Sequence, residues 1–102
     1  MSEVQFPDTA ALQNDSRLLT SIRGVVYDVS SAPEMYGSGA SYSVFVGHDI
    51  TYCLALTSLE KEDLDQPYNN LSEEENQRVM AFEDRFQSKY PRVGRLGTPS
   101  KL

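Results

Sequence analysis

The chain has 102 residues, of which 9 are Lys or Arg and 15 are Asp or Glu, so its formal net charge is −6. This length supports one modest hydrophobic core, and 39% hydrophobic with 24% charged residues is typical of a folded domain. The acidic balance argues against nucleic-acid binding, because the few clustered cations, Arg92, Arg95 and Lys101, are interpreted as a solvated C-terminal tail.

The first predicted element is a β-hairpin. Leu18–Ile22 and Val25–Val29 are rich in β-branched and apolar residues, and only Arg23 and Gly24 separate them. A two-residue connection that contains glycine is typical of a tight hairpin turn. We therefore expect two antiparallel strands, which need further elements because an isolated hairpin is marginally stable in water.

The central segment, from Ser41 to Leu56, is predicted to form two short helices that are interrupted near Gly47. Their buried side is expected to hold four apolar side chains: Val44, Phe45, Leu54 and Leu56. A third short helix is expected within residues 57–65, with Ser58 as its N-cap and acidic residues in its first turn.

The longest predicted helix follows Ser72. Glu75 stands three residues after this serine, which is the spacing of a capping box, and Pro91 predicts that the helix ends near Lys89. Apolar residues recur in this helix at intervals of three or four: Val79, Phe82 and Phe86. The order of hairpin, short helices, one longer helix and exposed tail predicts an α+β domain of the kind that often closes around a ligand.

The usual catalytic constellations are poorly supported. The one histidine, His48, and the one cysteine, Cys53, are five residues apart, about 140° around a helix, so a nucleophilic pair is not expected. A structural zinc site needs about four ligands, and a lone cysteine forms no internal disulfide, which fits a reducing compartment. The carboxylates at positions 60, 62, 63 and 65 are interpreted as an exposed helix face rather than as an acid–base pair.

Three tyrosines stand beside glycine or proline: Tyr36, Tyr42 and Tyr90. Gly37 and Gly39 resemble part of a dinucleotide-binding loop, but the third glycine and the surrounding βαβ unit are missing. The two glycines are better interpreted as a tight backbone path that presents Tyr42 at the start of a helix. A phenol combines an apolar ring with a polar oxygen, so the pattern alone places these tyrosines at the edge of the core.

Several runs of sequence occur in one characteristic order. Residues 24–29 read GVVYDV, residues 35–37 read MYG and residues 42–49 read YSVFVGHD. Leu54–Leu56, Leu71–Ser72, Lys89–Pro91 and the VGRL of residues 93–96 follow. In order and spacing, residues 18–96 resemble the membrane-associated progesterone receptor branch of the cytochrome b5-like domains. The resemblance implies a cytochrome b5-like fold around a haem pocket, with residues 1–17 as a divergent N-terminal segment and 97–102 as a flexible tail.

The resemblance also implies where haem b would bind. The family lacks the two haem-ligating histidines of cytochrome b5, and this chain has no His-Pro-Gly-Gly element. Members instead ligate ferric iron through one tyrosine, which by position is Tyr42, with Tyr36 as its supporting neighbour. Lys89 and Tyr90 match the pair that offers an ammonium to a propionate and a phenol for a hydrogen bond. Asp49 matches an acidic residue that is expected to support the loop on the haem side.

The chain departs from the family pattern at several positions. His48 stands where Arg or Lys is usual, and Tyr52 and Cys53 stand where Arg and Gly are usual. Two usual cations are therefore missing, which leaves Lys89 as the main expected charge for a propionate. His48 aligns with a loop arginine rather than with a ligand, and Phe82 replaces a tryptophan. The N-terminal segment is shortened, so its edge strand is expected to be loose or displaced.

The resemblance implies a haem carrier or adaptor that is not itself an enzyme. Its implied partners are haem-thiolate monooxygenases or a second copy stacked through haem. The sequence has no apolar run of the roughly 20 residues that span a bilayer, so the predicted location is cytoplasmic, peripheral to the endoplasmic reticulum through partners. The alternative is a haem-free cytochrome b5-like interaction module within a larger assembly. Electron transfer is disfavoured by the lack of two histidines, and no residue marks a steroid pocket.

Overall fold

The computed structural model describes residues 4–97, which form a small mixed sheet, four α-helices and two 3₁₀ turns. The strands are β1 Val4–Phe6, β2 Leu19–Ile22, β3 Val25–Asp28 and β4 Arg92–Leu96. The helices are α1 Thr9–Gln13, α2 Pro33–Tyr36, α3 Thr51–Leu56 and α4 Glu73–Lys89. The 3₁₀ turns are Ser43–Phe45 and Lys61–Asp63. The α+β architecture with one longer helix is as predicted.

The predicted hairpin forms the end of the sheet. Strands β2 and β3 pair antiparallel, and the turn residues Arg23 and Gly24 have φ values of 50° and 80°. Two successive positive φ values match the twist of the flanking strands, which is why this two-residue turn closes the hairpin. The strand order is β1-β4-β3-β2, with β1 parallel to β4.

The two ends of the chain contribute more structure than the sequence predicted. Residues 92–96 were expected in an exposed tail, but they form β4, which pairs with both β3 and β1. The prediction of a loose or displaced N-terminal strand is wrong for Val4–Phe6, which forms the edge of the sheet beside β4. The pairing joins segments about 90 residues apart, and such non-local pairing leaves no local pattern to detect. Lys101 and the rest of the predicted tail beyond Gly97 lie outside the described residues.

The two faces of the sheet are covered by different elements. On one face, Leu12 of α1 packs with Phe6, Leu19 and Val26. On the other face, Tyr27 and its neighbours pack against residues from α2, α3 and α4, including Phe86. Alternate residues of a strand point to opposite faces, so the buried Val26 and Tyr27 belong to different clusters. The larger cluster carries the candidate site.

The helices agree with the predictions from the sequence except in two places. Helix α4 begins with the predicted capping box, in which Ser72 Oγ accepts the Glu75 N–H and the Glu75 carboxylate accepts the Ser72 N–H. The expected helix in 57–65 is only the 3₁₀ turn Lys61–Asp63, and Ser58 accepts the N–H of Glu60 outside it. Leu56 was predicted to be buried but is 37% exposed, because α3 ends there before a left-handed Thr57.

Candidate functional site

A cavity of about 280 Å³ opens between the helices on the larger-cluster side of the sheet. Its lining comes from α2, the 3₁₀ turn Ser43–Phe45, α3 with the loop that follows it, and the C-terminal half of α4. The lining residues are Met35, Tyr36, Tyr42, Phe45, Cys53, Leu54, Thr57, Ser58, Leu59, Phe82, Arg85, Phe86, Lys89 and Tyr90. Four of the five predicted site residues therefore meet at one pocket. Asp49 does not line it.

The first wall of the pocket is a tight backbone path that presents two tyrosines. Pro33 begins α2, the Gly37 N–H bonds to the Pro33 carbonyl, and Gly39 has a φ of 81° that favours glycine. The Tyr42 N–H then returns to the carbonyl of Met35 at 2.9 Å. This return places Tyr42 directly before the 3₁₀ turn, as the two glycines predicted.

The aromatic rings of the pocket are fixed by mutual contact. Tyr42 stacks on Phe45 with ring centres 5.7 Å apart and an interplanar angle of 6°. Tyr36 lies 5.8 Å from Tyr42 and meets Tyr90 edge-to-face at 6.1 Å. Phe86 joins the cluster through Tyr90 at 5.1 Å. Such offset and edge-to-face pairs add to burial in fixing ring positions, so the phenols are held by packing.

The phenols of Tyr36 and Tyr42 have different environments. Burial and the nearby Tyr90 raise the pKa of the Tyr36 hydroxyl, so Tyr36 is a neutral phenol at ordinary pH. Tyr42 is only half-buried, and among residues 4–97 no group forms a hydrogen bond with its hydroxyl. A pocket phenol without a protein partner is available to a ligand. Tyr42, which is less buried than Tyr36, is therefore the more accessible oxygen donor of the site.

Two cations line the pocket from α4. Lys89 Nζ lies 5.5 Å from the centre of the Tyr90 ring, and Arg85 Cζ lies 5.2 Å from the centre of the Phe82 ring. Lys89 was predicted from the resemblance, whereas Arg85 was missed. Its signal was its position four residues before Lys89, which puts both side chains on one helix face.

Asp49 lies behind the pocket, against the sheet. Its carboxylate accepts hydrogen bonds from Ser21 Oγ at 2.8 Å and from the Thr51 N–H at 3.1 Å. Burial raises the pKa of this carboxyl, although the bonds from Thr51 and Ser21 oppose the rise. Asp49 therefore ties β2 to the start of α3, and it contacts the pocket only through these elements.

His48 and Cys53 each have a local structural explanation. His48 Nδ1 lies 2.7 Å from Asp65 Oδ2, and His48 does not line the pocket. Cys53 lines the pocket floor but is fully buried, and burial together with the nearby Asp63 raises the pKa of its thiol to about 11. Within residues 4–97, no group of three or more His, Cys, Asp or Glu is placed to hold a metal ion.

The chain is similar to known proteins of one family. Residues 2–97 match the family model described as cytochrome b5-like Heme/Steroid binding domain. Probable steroid-binding protein 3 of Arabidopsis thaliana is 37% identical over 79 residues, which cover 78% of this chain and 79% of that protein. Human membrane-associated progesterone receptor component 2 is 34% identical over 83% of this chain but only 40% of its own length.

A solved structure has the same fold. The structure of a hypothetical Arabidopsis thaliana protein, described as having a cytochrome b5 like fold, superposes with a TM-score of 0.83. The two chains are 30% identical, and the match covers 94% of this chain and 93% of the other. Among residues 4–97, no helix is long and apolar enough to cross a membrane.

Proposed function

Because the chain belongs to the cytochrome b5-like haem/steroid-binding domain family, we propose that it binds ferric haem b with Tyr42 as its single protein ligand. The half-buried Tyr42 hydroxyl, which has no hydrogen-bond partner among residues 4–97, carries this proposal. A phenolate is a hard oxygen donor that stabilises ferric iron. The neutral Tyr36, which is packed between Tyr42 and Tyr90, would support the ligand phenol from the side.

The other pocket residues fit the macrocycle and the propionates of haem. Apolar side chains from three elements offer faces to a flat macrocycle: Met35, Leu54, Phe82 and Phe86. Lys89 lies at the exposed end of α4, where an ammonium would pair with a propionate. The one histidine of the chain, His48, is held by Asp65 outside the pocket, so the pocket offers no histidine ligand of the cytochrome b5 type. These features favour haem storage or delivery over rapid electron transfer.

The test is an absorption titration of the apo-protein with ferric haem, run beside Tyr42→Phe and Tyr36→Phe. We expect saturable one-to-one binding by the unchanged protein and a loss of more than about tenfold in affinity for Tyr42→Phe. Tyr36→Phe is the matched control, since it also deletes one pocket hydroxyl, and it should keep the same type of spectrum. Equal affinity and spectrum for Tyr42→Phe and the unchanged protein would contradict the proposal.

A second candidate function is a haem-free interaction module that uses the same pocket mouth to contact a protein. Leu59 favours it, because this side chain lines the pocket and is nevertheless 48% exposed. Absence of saturable haem binding by the unchanged protein would favour this candidate.

The names of the relatives also raise the question of steroid binding. Progesterone added to the haem complex tests it, and release of haem would indicate that both ligands share the pocket.

The proposed role of the haem complex is to carry haem to other proteins. With Tyr42 as the single protein ligand, the bound haem would remain available to a second haem-bound copy or to a recipient protein such as a haem-thiolate monooxygenase. A location in the cytoplasm, at the surface of the endoplasmic reticulum through such partners, would fit that role. Transfer of haem from the complex to apo-myoglobin within minutes would support a carrier, and retention for hours would contradict it.

A further inference from the structure

The charges that line the pocket differ from those of the whole chain. The net charge is −6, yet no carboxylate of residues 4–97 lines the pocket, and both charged lining residues in that range, Arg85 and Lys89, are cations. Glu83 of α4 does not line the pocket, and its carboxylate lies 3.8 Å from the Arg23 guanidinium. The charged side chains that line the pocket are therefore opposite in sign to the net charge of the chain, although Asp63 lies behind the lining residue Ser58.

Neither of these cations is neutralised by the described protein. Within residues 4–97, neither Arg85 nor Lys89 makes an ion pair, whereas Arg17 pairs with Asp15 at 2.9 Å. Each pocket cation instead lies near an aromatic ring, Phe82 for Arg85 and Tyr90 for Lys89. Such a contact orients the charged head without neutralising it. The guanidinium of Arg85 and the ammonium of Lys89 can therefore bind an anionic group of a ligand.

The two cations have a defined spacing. They are four residues apart on α4, so their Cβ atoms lie about 5–6 Å from each other on the same helix face. An arginine can bind one carboxylate through two parallel hydrogen bonds, and a lysine acts as a point charge. The pair therefore matches two carboxylates on neighbouring positions of one ligand edge.

We propose that Arg85 and Lys89 form a two-cation anchor that selects a flat, largely apolar ligand with two carboxylates on one edge. Arg85 is the specificity-determining member, and it disfavours a neutral ligand of the same shape, such as a steroid or a porphyrin diester. This anchor rests on the proposed function to the extent that the ligand is haem, whose two propionates share one edge. It does not depend on the bond between Tyr42 and iron.

The test uses metal-free protoporphyrin IX and its dimethyl ester, because neither can be ligated through iron. Binding is followed by porphyrin fluorescence for the unchanged protein, Arg85→Gln, Lys89→Gln and the control Arg95→Gln, which removes an exposed cation outside the pocket. We expect Arg85→Gln and Lys89→Gln each to weaken diacid binding by about tenfold and to leave diester binding unchanged. Arg95→Gln should change neither.

The outcomes separate this anchor from iron ligation. Preference for the diacid that is lost in Arg85→Gln supports the anchor even if the ferric haem titration shows no role for Tyr42. Equal binding of diacid and diester by the unchanged protein would overturn the anchor while leaving iron ligation intact. An equal loss for both porphyrins in Arg85→Gln would also overturn it, because a loss of packing rather than of charge would then explain the effect.

Discussion

The sheet side and the pocket side of this small domain use their polar groups in opposite ways. On the sheet side, buried polar side chains are satisfied within the protein: Thr20 donates to two backbone carbonyls, and Ser21 donates to Asp49. On the pocket side, the Tyr42 hydroxyl and the head of Arg85 have no hydrogen-bond or ion-pair partner among residues 4–97. These sheet-side groups hold the fold, whereas the Tyr42 hydroxyl and the Arg85 head are available to a ligand, unlike the pocket hydroxyl of Ser58, which donates to Asp63.

The largest effect on the sheet side is expected for Gly94→Ala. A Cβ at this position of β4 would lie 2.4 Å from the Val4 carbonyl oxygen and 2.7 Å from a ring carbon of Phe6. Strand β1 would have to move away, so we expect the free energy of unfolding to fall by about 2–4 kcal/mol. Urea denaturation measures it, with the exposed neighbour Arg95→Ala as control. A change below about 0.5 kcal/mol would show that β1 contributes little to the fold.

Asp49→Ala should have the next largest effect, and on stability rather than on haem. The change leaves Ser21 Oγ and the Thr51 N–H without their buried acceptor, so a loss of about 1–3 kcal/mol is expected in urea denaturation. Asp49→Asn keeps one acceptor oxygen and should lose less. Haem affinity of the folded variant should stay within about threefold of the unchanged protein, since Asp49 does not line the pocket. A larger loss of affinity at full folding would make Asp49 part of the ligand site.

The buried Cys53 thiol is expected to make the free energy of unfolding depend on pH. Its thiol has a pKa of about 11 in the folded protein, against about 9 as the ordinary value, because it is buried. The folded state thus holds the proton that the unfolded chain releases, and the free energy of unfolding falls as pH rises from about 9 to about 11. At about pH 10 the loss is about 1 kcal/mol. Cys53→Ala should remove this loss, and parallel stability curves for both proteins would contradict the assignment.

Features that depend on residues close together in the chain could be predicted from the sequence, whereas features that depend on distant residues could not. Local signals predicted the hairpin through Arg23 and Gly24 and the start of α4 through Ser72 and Glu75. These turns and caps depend on neighbouring residues, so their sequence signal is complete. The fold family followed from ordered runs of sequence around Tyr42.

The features that the sequence did not predict depend on contacts between distant parts of the chain. Strand β1 has only three residues and is held by the parallel β4 at the other end of the chain. Helices α1 and α2 have five and four residues, too few for an apolar period to appear. Arg85 was one charge among many on an acidic helix, and its spacing of four residues from Lys89 does not by itself show that it lines the pocket.

The smallest effect is expected for His48→Ala. His48 and Asp65 are partly exposed, and Asp65 keeps its second bond to the Asp49 N–H at 2.7 Å, so stability should change by less than about 1 kcal/mol. The absorption spectrum of the ferric haem complex should be unchanged, because His48 lies outside the pocket. A shifted Soret band in this variant would make His48 a haem ligand.

The most direct test of the central claim is the resonance Raman spectrum of the ferric haem complex, excited in its phenolate charge-transfer band. If Tyr42 ligates the iron, phenolate ring modes will be enhanced in the unchanged protein and in Tyr36→Phe, and they will be absent from Tyr42→Phe. Haem bound without phenolate modes in the unchanged protein, or with the same modes in Tyr42→Phe, would contradict the assignment of Tyr42 as the ligand.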